Sequence, residues 1–171
     1  KSIKRSCLVV TMNNSQRDLI DEEIRFKASK IPEVNTYLSN WEETMEPFVV
    51  KNLENVQGDE RDYIFVSTLF GPNKDGNTMQ RFGPINHPKG HRRLNVLFTR
   101  AKQGLELFTS LTPNLIKDGG EKGRQIFKSY LDYAQTQRIE TGADTSRSTD
   151  SDFEDWVKEE PEKLDYIVVP Q

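Results

Sequence analysis

The chain has 171 residues, enough for one main domain with a small appendage. Its formal net charge of −3 excludes a surface that attracts nucleic acid everywhere, and leaves that role to local basic patches. A single cysteine, Cys7, excludes an internal disulfide and indicates a cytoplasmic location, and its apolar neighbours predict a buried thiol. Because no apolar run approaches the roughly 20 residues that cross a bilayer, no membrane partner is expected.

The first half of the chain predicts a strand, a helix and two further strands. Residues 6–11 form a short apolar run, typical of a strand covered on both faces of a parallel sheet. Ser15 and Asp18, three residues apart, predict a capping box at the start of the following helix. Apolar runs after a proline and after a glycine-containing turn predict two more strands, at residues 48–50 and 63–68.

The second half begins with a glycine- and proline-rich loop of about twenty residues, at positions 70–90, a length typical of functional or mobile loops. A helix follows, with Gly104 as its predicted C-cap, then a strand over residues 105–109 and an amphipathic helix over residues 126–134. Strands alternating with helices predict an α/β fold, a three-layer α/β/α RecA-like arrangement with a mostly parallel sheet.

The first of these two helices carries the most informative pattern. Its apolar residues recur at helical spacing and predict a buried stripe: Leu94, Leu97, Phe98 and Ala101. Arg93 and Arg100, seven residues apart, are then predicted to lie one above the other beside that stripe. Two guanidinium groups held in one direction suit a polyphosphate and the charge that develops during phosphoryl transfer. The alternative is an ordinary surface helix with solvated arginines.

Three segments resemble motifs of superfamily 1 DNA/RNA helicases. The sequence VKNLENVQGDERDYIFVS (residues 50–67) resembles motif V, and RRLNVLFTRAK (residues 92–102) resembles motif VI. Upstream, LVVTMNNSQRDLI (residues 8–20) is similar to the strand, turn and helix of motif IV. Their order matches the second of the two RecA-like motor domains of these enzymes.

The resemblance implies roles for individual residues. Arg100 matches the arginine finger that reaches the γ-phosphate of ATP from across the cleft between the motor domains. Glu60 matches the glutamate that accepts hydrogen bonds from the nucleotide ribose. Gly58 allows close backbone approach, and Gln57 orients the turn or contacts the cleft. The alternative is that Gly58 merely turns the chain while Glu60 caps a helix or pairs with Arg61.

Four further positions receive roles from the same resemblance. Arg93 is expected to pair with motif V carboxylates or with phosphate. Thr11, Asn13 and Gln16 are expected to contact the backbone of a single-stranded nucleic acid, with DNA favoured over RNA, or the nucleotide edge of the cleft. Asn13 stands where relatives commonly have an aromatic residue, so stacking on a base is not available from it.

The resemblance also implies which parts of the ATP site belong to the other motor domain. The chain has neither a GxxxxGK[ST] phosphate loop nor an acidic magnesium-binding strand, and both belong to the first RecA-like domain. The cofactor is therefore expected to be ATP with Mg²⁺ held by that missing domain, and the chain alone is expected not to hydrolyse ATP. One alternative is a noncatalytic RecA-like scaffold or regulatory module. Another is that the region serves chiefly to attach a metal-dependent nuclease.

The predicted domain organisation has three parts. Residues 1–135 form the second RecA-like domain, and the Thr-, Ser- and Asp-rich residues 136–150 form a linker. Residues 151–171 resemble the opening of a restriction-endonuclease-like domain of the very-short-patch-repair type, in which Glu154 would join a metal site. The alternative is that Ser151 and Glu154 form only a capping box.

Overall fold

The computed structural model of the protein describes residues 5–136 and the backbone of a later strand at residues 165–170. Nearly all of the predicted linker lies outside these residues, as do Ser151 and Glu154. This last strand, β5 (Asp165–Pro170), pairs with β4 (Ala101–Thr109) on the edge of the main sheet, with Leu105 opposite Tyr166. The predicted boundary at residue 151 remains a prediction.

Five parallel strands form one sheet in the spatial order β2-β1-β3-β4-β5. The strands are β1 (Cys7–Thr11), β2 (Val49–Asn52), β3 (Arg61–Ser67), β4 (Ala101–Thr109) and β5 (Asp165–Pro170). The helices are α1 (Asn14–Lys30), α2 (Pro32–Glu42), α3 (Gly90–Phe98) and α4 (Lys122–Thr136). Short 3₁₀ turns lie at Leu53–Asn55, Gly83–Asn86 and Pro113–Leu115.

The helices lie on both faces of the sheet. From β1 the chain moves to one side, to β2, whereas from β3 it moves to the other side, to β4 and then β5. Because crossovers between parallel strands are right-handed, α1 and α2 cover one face while α3 and α4 cover the other. This confirms the predicted three-layer α/β/α fold of RecA-like type. No helix within residues 5–136 combines the length and apolarity that crossing a bilayer requires.

The main core lies between the sheet and the α3–α4 layer. Alternate residues of the three central strands face this layer and are at most 2% exposed: Leu8, Val10, Ile64, Val66, Leu105 and Leu107. The helices meet them with the predicted apolar stripes, and Phe98 of α3 stacks on Tyr130 of α4 with ring centroids 3.8 Å apart. Burial of these aromatic and aliphatic side chains is the main stabilising contribution.

Three local predictions were wrong. The N-cap of α1 is Asn13, whose side-chain oxygen accepts the Gln16 N–H at 2.8 Å, so the helix begins before Ser15. The arginine helix ends at Phe98. Gly104 therefore lies inside β4, where it has no capping role. These shifts leave the predicted order of the strands intact, but helix α2 lies in a stretch to which no element was assigned from the sequence.

The predicted loop after β3 is tied down by two side chains. Gln80 donates to the carbonyl of Leu115 at 2.9 Å and accepts the Lys117 N–H at 2.9 Å. Asn86 donates to the carbonyl of Gln80 at 3.0 Å and to the carboxylate of Glu121 at 3.1 Å. These contacts connect the loop to the start of α4, so much of its length has a defined position.

Candidate functional site

Arg100 and Glu60 meet at the amino edge of the sheet, meaning the edge where the strands begin. Arg100 lies in the short connection between α3 and β4, and Glu60 comes directly before β3. Because β3 and β4 are parallel neighbours, the residues that precede them lie side by side. Nη1 of Arg100 donates to Oε1 of Glu60 at 3.1 Å, and the two side chains are 25% and 54% exposed. The pair is therefore open to solvent.

The backbone holds this pair together as well. The N–H of Arg61 donates to the carbonyl of Arg100 at 3.1 Å, which joins the residue after Glu60 to the arginine itself. The register between β3 and β4 shifts immediately afterwards, between Arg61 and Tyr63. The side chain of Glu60 and the backbone N–H of Arg61 thus both bond to Arg100.

The guanidinium group of Arg100 has unused hydrogen-bonding capacity. An arginine carries five N–H donors, and Glu60 accepts from Nη1. Its Nε is buried and has no hydrogen-bond partner within residues 5–136. A planar fork with spare donors is suited to a phosphate or carboxylate group. The chemistry of this corner therefore fits the anionic part of a nucleotide.

The turn before Glu60 depends on a glycine. Gly58 has a φ of +88°, a conformation that side chains of other residues rarely tolerate, and both Gly58 and Gln57 are exposed. A side chain at this position would meet no atom within 4 Å. The turn is closed by the N–H of Asp59, which donates to the carbonyl of Val56 at 3.2 Å. A glycine is therefore favoured at position 58 by the backbone conformation of the turn and not by a lack of space.

Asp59 and Arg61 form an ionic network beneath the turn. Asp59 accepts from the Lys51 ammonium at 2.5 Å and lies 3.8 Å from the Arg61 guanidinium. Arg61 is only 3% exposed and donates to the carbonyls of Glu60 and Pro47. The alternative pairing of Glu60 with Arg61 is not present, because the carboxylate of Glu60 pairs with Arg100.

A second pair of charges lies farther along the same edge. The carboxylate of Glu46 accepts hydrogen bonds from Lys102 of β4 and from the buried hydroxyl of Ser6. Both contacts lower the pKa of Glu46, with Lys102 the larger cause. The bond to Glu46 in turn raises the pKa of Lys102. The carboxylate of Asp62, in β3, accepts the Ser6 N–H at 2.9 Å and so also holds Ser6 in place.

Arg93 does not lie beside Arg100, contrary to the prediction. It donates to the Pro84 carbonyl at 3.2 Å and pairs with Glu54 at 3.2 Å. The expected pairing of Arg93 with a motif V carboxylate is therefore present. Because α3 ends at Phe98, Arg100 lies beyond the helix and does not continue the row of side chains that includes Arg93.

The three residues assigned to nucleic acid lie at the opposite, carboxyl edge of the sheet, where Thr11 ends β1 and Asn13 and Gln16 lie at the start of α1. Thr11 is fully buried and its hydroxyl donates to the Asn13 carbonyl at 2.9 Å, while Asn13 caps α1. Gln16 donates through Nε2 to the hydroxyl of Ser67, at the end of β3, at 2.7 Å. Its Oε1 is buried and lacks a hydrogen-bond partner in the described part of the chain. Thr11 is therefore enclosed by the fold, whereas Asn13 and Gln16 are only half-buried.

No metal site is evident within residues 5–136, since no three His, Cys, Asp or Glu side chains there are grouped closely enough to hold an ion. The magnesium implied by the resemblance was assigned to the first motor domain, and that assignment remains a prediction.

Comparisons with known proteins relate this chain to helicases. A family model described as an AAA domain matches residues 1–111. An uncharacterized ATP-dependent helicase of Mycoplasma genitalium is 41% identical over 111 residues, covering 61% of this chain. Its Mycoplasma pneumoniae homologue is 31% identical over 150 residues, covering 81% of this chain. The chain spans only 9% and 12% of the length of these two curated relatives. No solved structure matches it.

Proposed function

Because the chain belongs to the AAA domain family, we propose that it is the second RecA-like motor domain of an ATP-dependent superfamily 1 DNA/RNA helicase. The observation that carries this proposal is the contact between Arg100 and Glu60 at the amino edge of the sheet. These two residues come from separate motifs, 40 positions apart, and both were assigned to the nucleotide from the sequence. Their meeting in one solvent-accessible corner supports a shared ligand.

In this proposal the corner supplies half of an ATP site. The guanidinium of Arg100 would neutralise negative charge on the γ-phosphate, and the carboxylate of Glu60 would accept a hydrogen bond from a ribose hydroxyl. The nucleotide itself supplies the phosphoryl group that is transferred to water. In the free domain Arg100 and Glu60 neutralise each other, so ATP binding would exchange this bond for one bond to phosphate and one to sugar.

The helix directions support a site shared with another domain. Helices α1, α3 and α4 run antiparallel to the strands, so their N-termini lie at the carboxyl edge and their C-termini point to the amino edge. Helix N-termini are the ends that bind phosphate, whereas a C-terminus favours a nearby cation such as Arg100. The amino edge therefore offers an arginine to the nucleotide, whereas none of these three helices presents a phosphate-binding N-terminus there. The first RecA-like domain is proposed to provide that cradle together with Mg²⁺.

Single-stranded nucleic acid is proposed to bind at the carboxyl edge. The start of α1 supports this assignment, because Asn13 and Gln16 lie there and the exposed first turn of the helix presents backbone N–H groups that suit phosphate. Placing nucleotide and nucleic acid at opposite edges lets closure of the two motor domains act on both ligands. Contacts to the phosphate backbone would be largely independent of sequence.

The test is the substitution Arg100→Ala in the full-length protein that contains this chain. We predict that the rate of ATP hydrolysis falls by about 10³- to 10⁵-fold, the typical worth of an arginine finger, with an unchanged melting temperature. Arg92→Ala is the matched control, since Arg92 lies on α3 with an exposed side chain. Its ATPase should match that of the wild type. If Arg100→Ala leaves the ATPase unaffected, a noncatalytic scaffold replaces the motor as the better account.

A further inference from the structure

Arg61 is a buried cation whose contacts all converge on the segments around the proposed ATP corner. Its side chain is 4% exposed, and every nitrogen of its guanidinium is engaged. Nη1 donates to the carbonyl of Glu60 at 2.8 Å. Nε and Nη2 donate to the carbonyl of Pro47 at 3.2 and 2.7 Å, and Nη2 also lies 3.8 Å from Asp59.

The main chain of Arg61 adds a further link. Its N–H donates to the carbonyl of Arg100, as described above. One residue thus bonds to the backbone of Glu60 through its side chain and to the backbone of Arg100 through its main chain. The remaining guanidinium nitrogens, Nε and Nη2, bond to the carbonyl of Pro47 and so connect both residues to the segment that precedes β2.

We propose that Arg61 is a positioning residue of the nucleotide site, which sets the place of the Glu60 carboxylate for the ribose. This proposal rests on the proposed function. Glu60 follows a glycine turn and its side chain is 54% exposed, so few contacts of its own restrain it. The hydrogen bond from the Arg61 side chain to the Glu60 carbonyl restrains the backbone of Glu60. Arg61 acts through Glu60 and does not touch the nucleotide.

The chemistry of the contacts explains why an arginine is required. Two carbonyls and a carboxylate surround the group, and a rigid fork with five donors can satisfy them together. A lysine carries the same charge but presents a compact ammonium on a flexible stem, and it cannot span both carbonyls. Arg61→Lys therefore keeps the positive charge but loses the simultaneous hydrogen bonds to the two carbonyls.

The experiment measures ATPase kinetics of the full-length protein with ATP and with 2′,3′-dideoxy-ATP. The wild type should have the lower KM for ATP, because only ATP offers sugar hydroxyls to Glu60. For Arg61→Lys we expect KM for ATP to rise about five- to tenfold, equivalent to one hydrogen bond. The KM for the dideoxy nucleotide should stay within about twofold, so the preference for an intact ribose disappears. With the phosphate contacts intact, kcat should change little.

Arg124→Lys is the matched control. Arg124 is an arginine with a side chain 13% exposed, and it donates to the Gly119 carbonyl at the start of α4, away from the amino edge. This exchange should leave the ribose preference unchanged. If Arg61→Lys lowers the melting temperature so far that kinetics cannot be measured, Asp59→Asn takes its place, since it removes the carboxylate beside the Arg61 guanidinium. It should reduce the preference in the same direction, whereas Lys51→Met, which removes the other partner of Asp59, should not.

The possible results separate this proposal from the proposed function. If the wild type prefers ATP and Arg61→Lys, or Asp59→Asn in its place, keeps that preference, the positioning role is overturned while the motor assignment stands. If the wild type does not discriminate between the two nucleotides, the ribose role of Glu60 fails and the positioning role with it. An equal loss of preference in Arg124→Lys also overturns the proposal, because the effect would then be one of general stability.

Discussion

Charged side chains at the amino edge of the sheet are held in pairs, and the pairs differ in how closely they are tied to the fold. Arg100 and Glu60 contact each other at the open corner, where a ligand can replace the bond between them. Glu46 is bonded both to Lys102 and to the buried hydroxyl of Ser6, so its charge is part of the folded structure. This difference predicts that Glu46 contributes to stability and that its contribution depends on pH.

The prediction concerns Glu46→Gln. Its partners lower the pKa of Glu46 in the folded state, so its stabilising effect is present above the ordinary carboxyl pKa of about 4.3 and disappears as the pH falls through the lower folded value. The substitution should therefore destabilise the chain near neutral pH by about 1 kcal/mol or less, since the ion pair of Glu46 with Lys102 is partly solvated. Urea unfolding between pH 7 and about pH 3 measures this.

The unfolding curves of wild type and Glu46→Gln should converge at the acidic end of that range. Glu23→Gln, in an exposed pair with Lys27 on α1, is the control and should change stability less at neutral pH. A difference for Glu46→Gln that stays constant from neutral to acid pH would show that its charge is not what stabilises the fold.

Residue types and motif order were sufficient to nominate Arg100 and Glu60, but not Arg61. The first two belong to short motifs that a sequence displays directly. The role of Arg61 depends on its burial and on carbonyls of Pro47 and Glu60, and neither is visible in a sequence. An arginine at the start of an apolar strand was the one signal available. Such a residue is more often exposed, because buried charges are rare.

At the scale of elements, the crossing of α3 and α4 depends on two glycines. A Cβ on Gly90 would lie 2.0 Å from the carbonyl oxygen of Ile85, and one on Gly123 would lie 2.2 Å from that same oxygen. Both distances are well inside van der Waals contact. The two helices can therefore approach this carbonyl only if each has a glycine there, and α3 carries the arginine segment toward the corner.

Gly90→Ala should accordingly destabilise the domain. Alanine favours a helix over glycine by up to about 1 kcal/mol, but displacing a backbone carbonyl in a packed core costs about 1–3 kcal/mol or more. We expect a net loss of about 1–2 kcal/mol in the free energy of unfolding, measured by chemical denaturation. Gly71→Ala is the control, because its closest contact is the exposed Ser110 hydroxyl, which can rotate away. Equal effects of the two substitutions would contradict this account of the crossing.

The predicted extent of the arginine helix shows where periodicity misleads. Leu94, Leu97 and Phe98 are buried as the helical spacing predicts, and Ala101 continues the same spacing. Ala101 is nevertheless buried because it begins β4. The hydroxyl of Thr99 bonds to carbonyls of the last helical turn and helps to end the helix, a competition with the backbone that hydrophobic spacing does not detect. The consequence is functional, since the bend directs Arg100 to Glu60 instead of stacking it on Arg93.

At the scale of the whole molecule, the order of the strands could be predicted because each apolar run matched one strand, whereas α2 could not, because its sequence has no clear apolar period. Spatial order could not be read from the sequence, although the motif resemblance supplied the expected fold. The structure adds the separation of the candidate residues between the two edges of the sheet. Arg100 and Glu60 lie at one edge, whereas Asn13 and Gln16 lie at the other. In the proposed motor, closure against the first RecA-like domain would change both edges together.

The most direct measurement is the structure of the full-length protein bound to a non-hydrolysable ATP analogue. The account predicts that the Arg100 guanidinium leaves Glu60 and lies about 2.7–2.9 Å from an oxygen of the terminal phosphate, the distance of a charge-assisted hydrogen bond. The Glu60 carboxylate should then accept from a ribose hydroxyl. If the analogue is bound while Arg100 remains on Glu60 and neither residue contacts it, the central claim is contradicted.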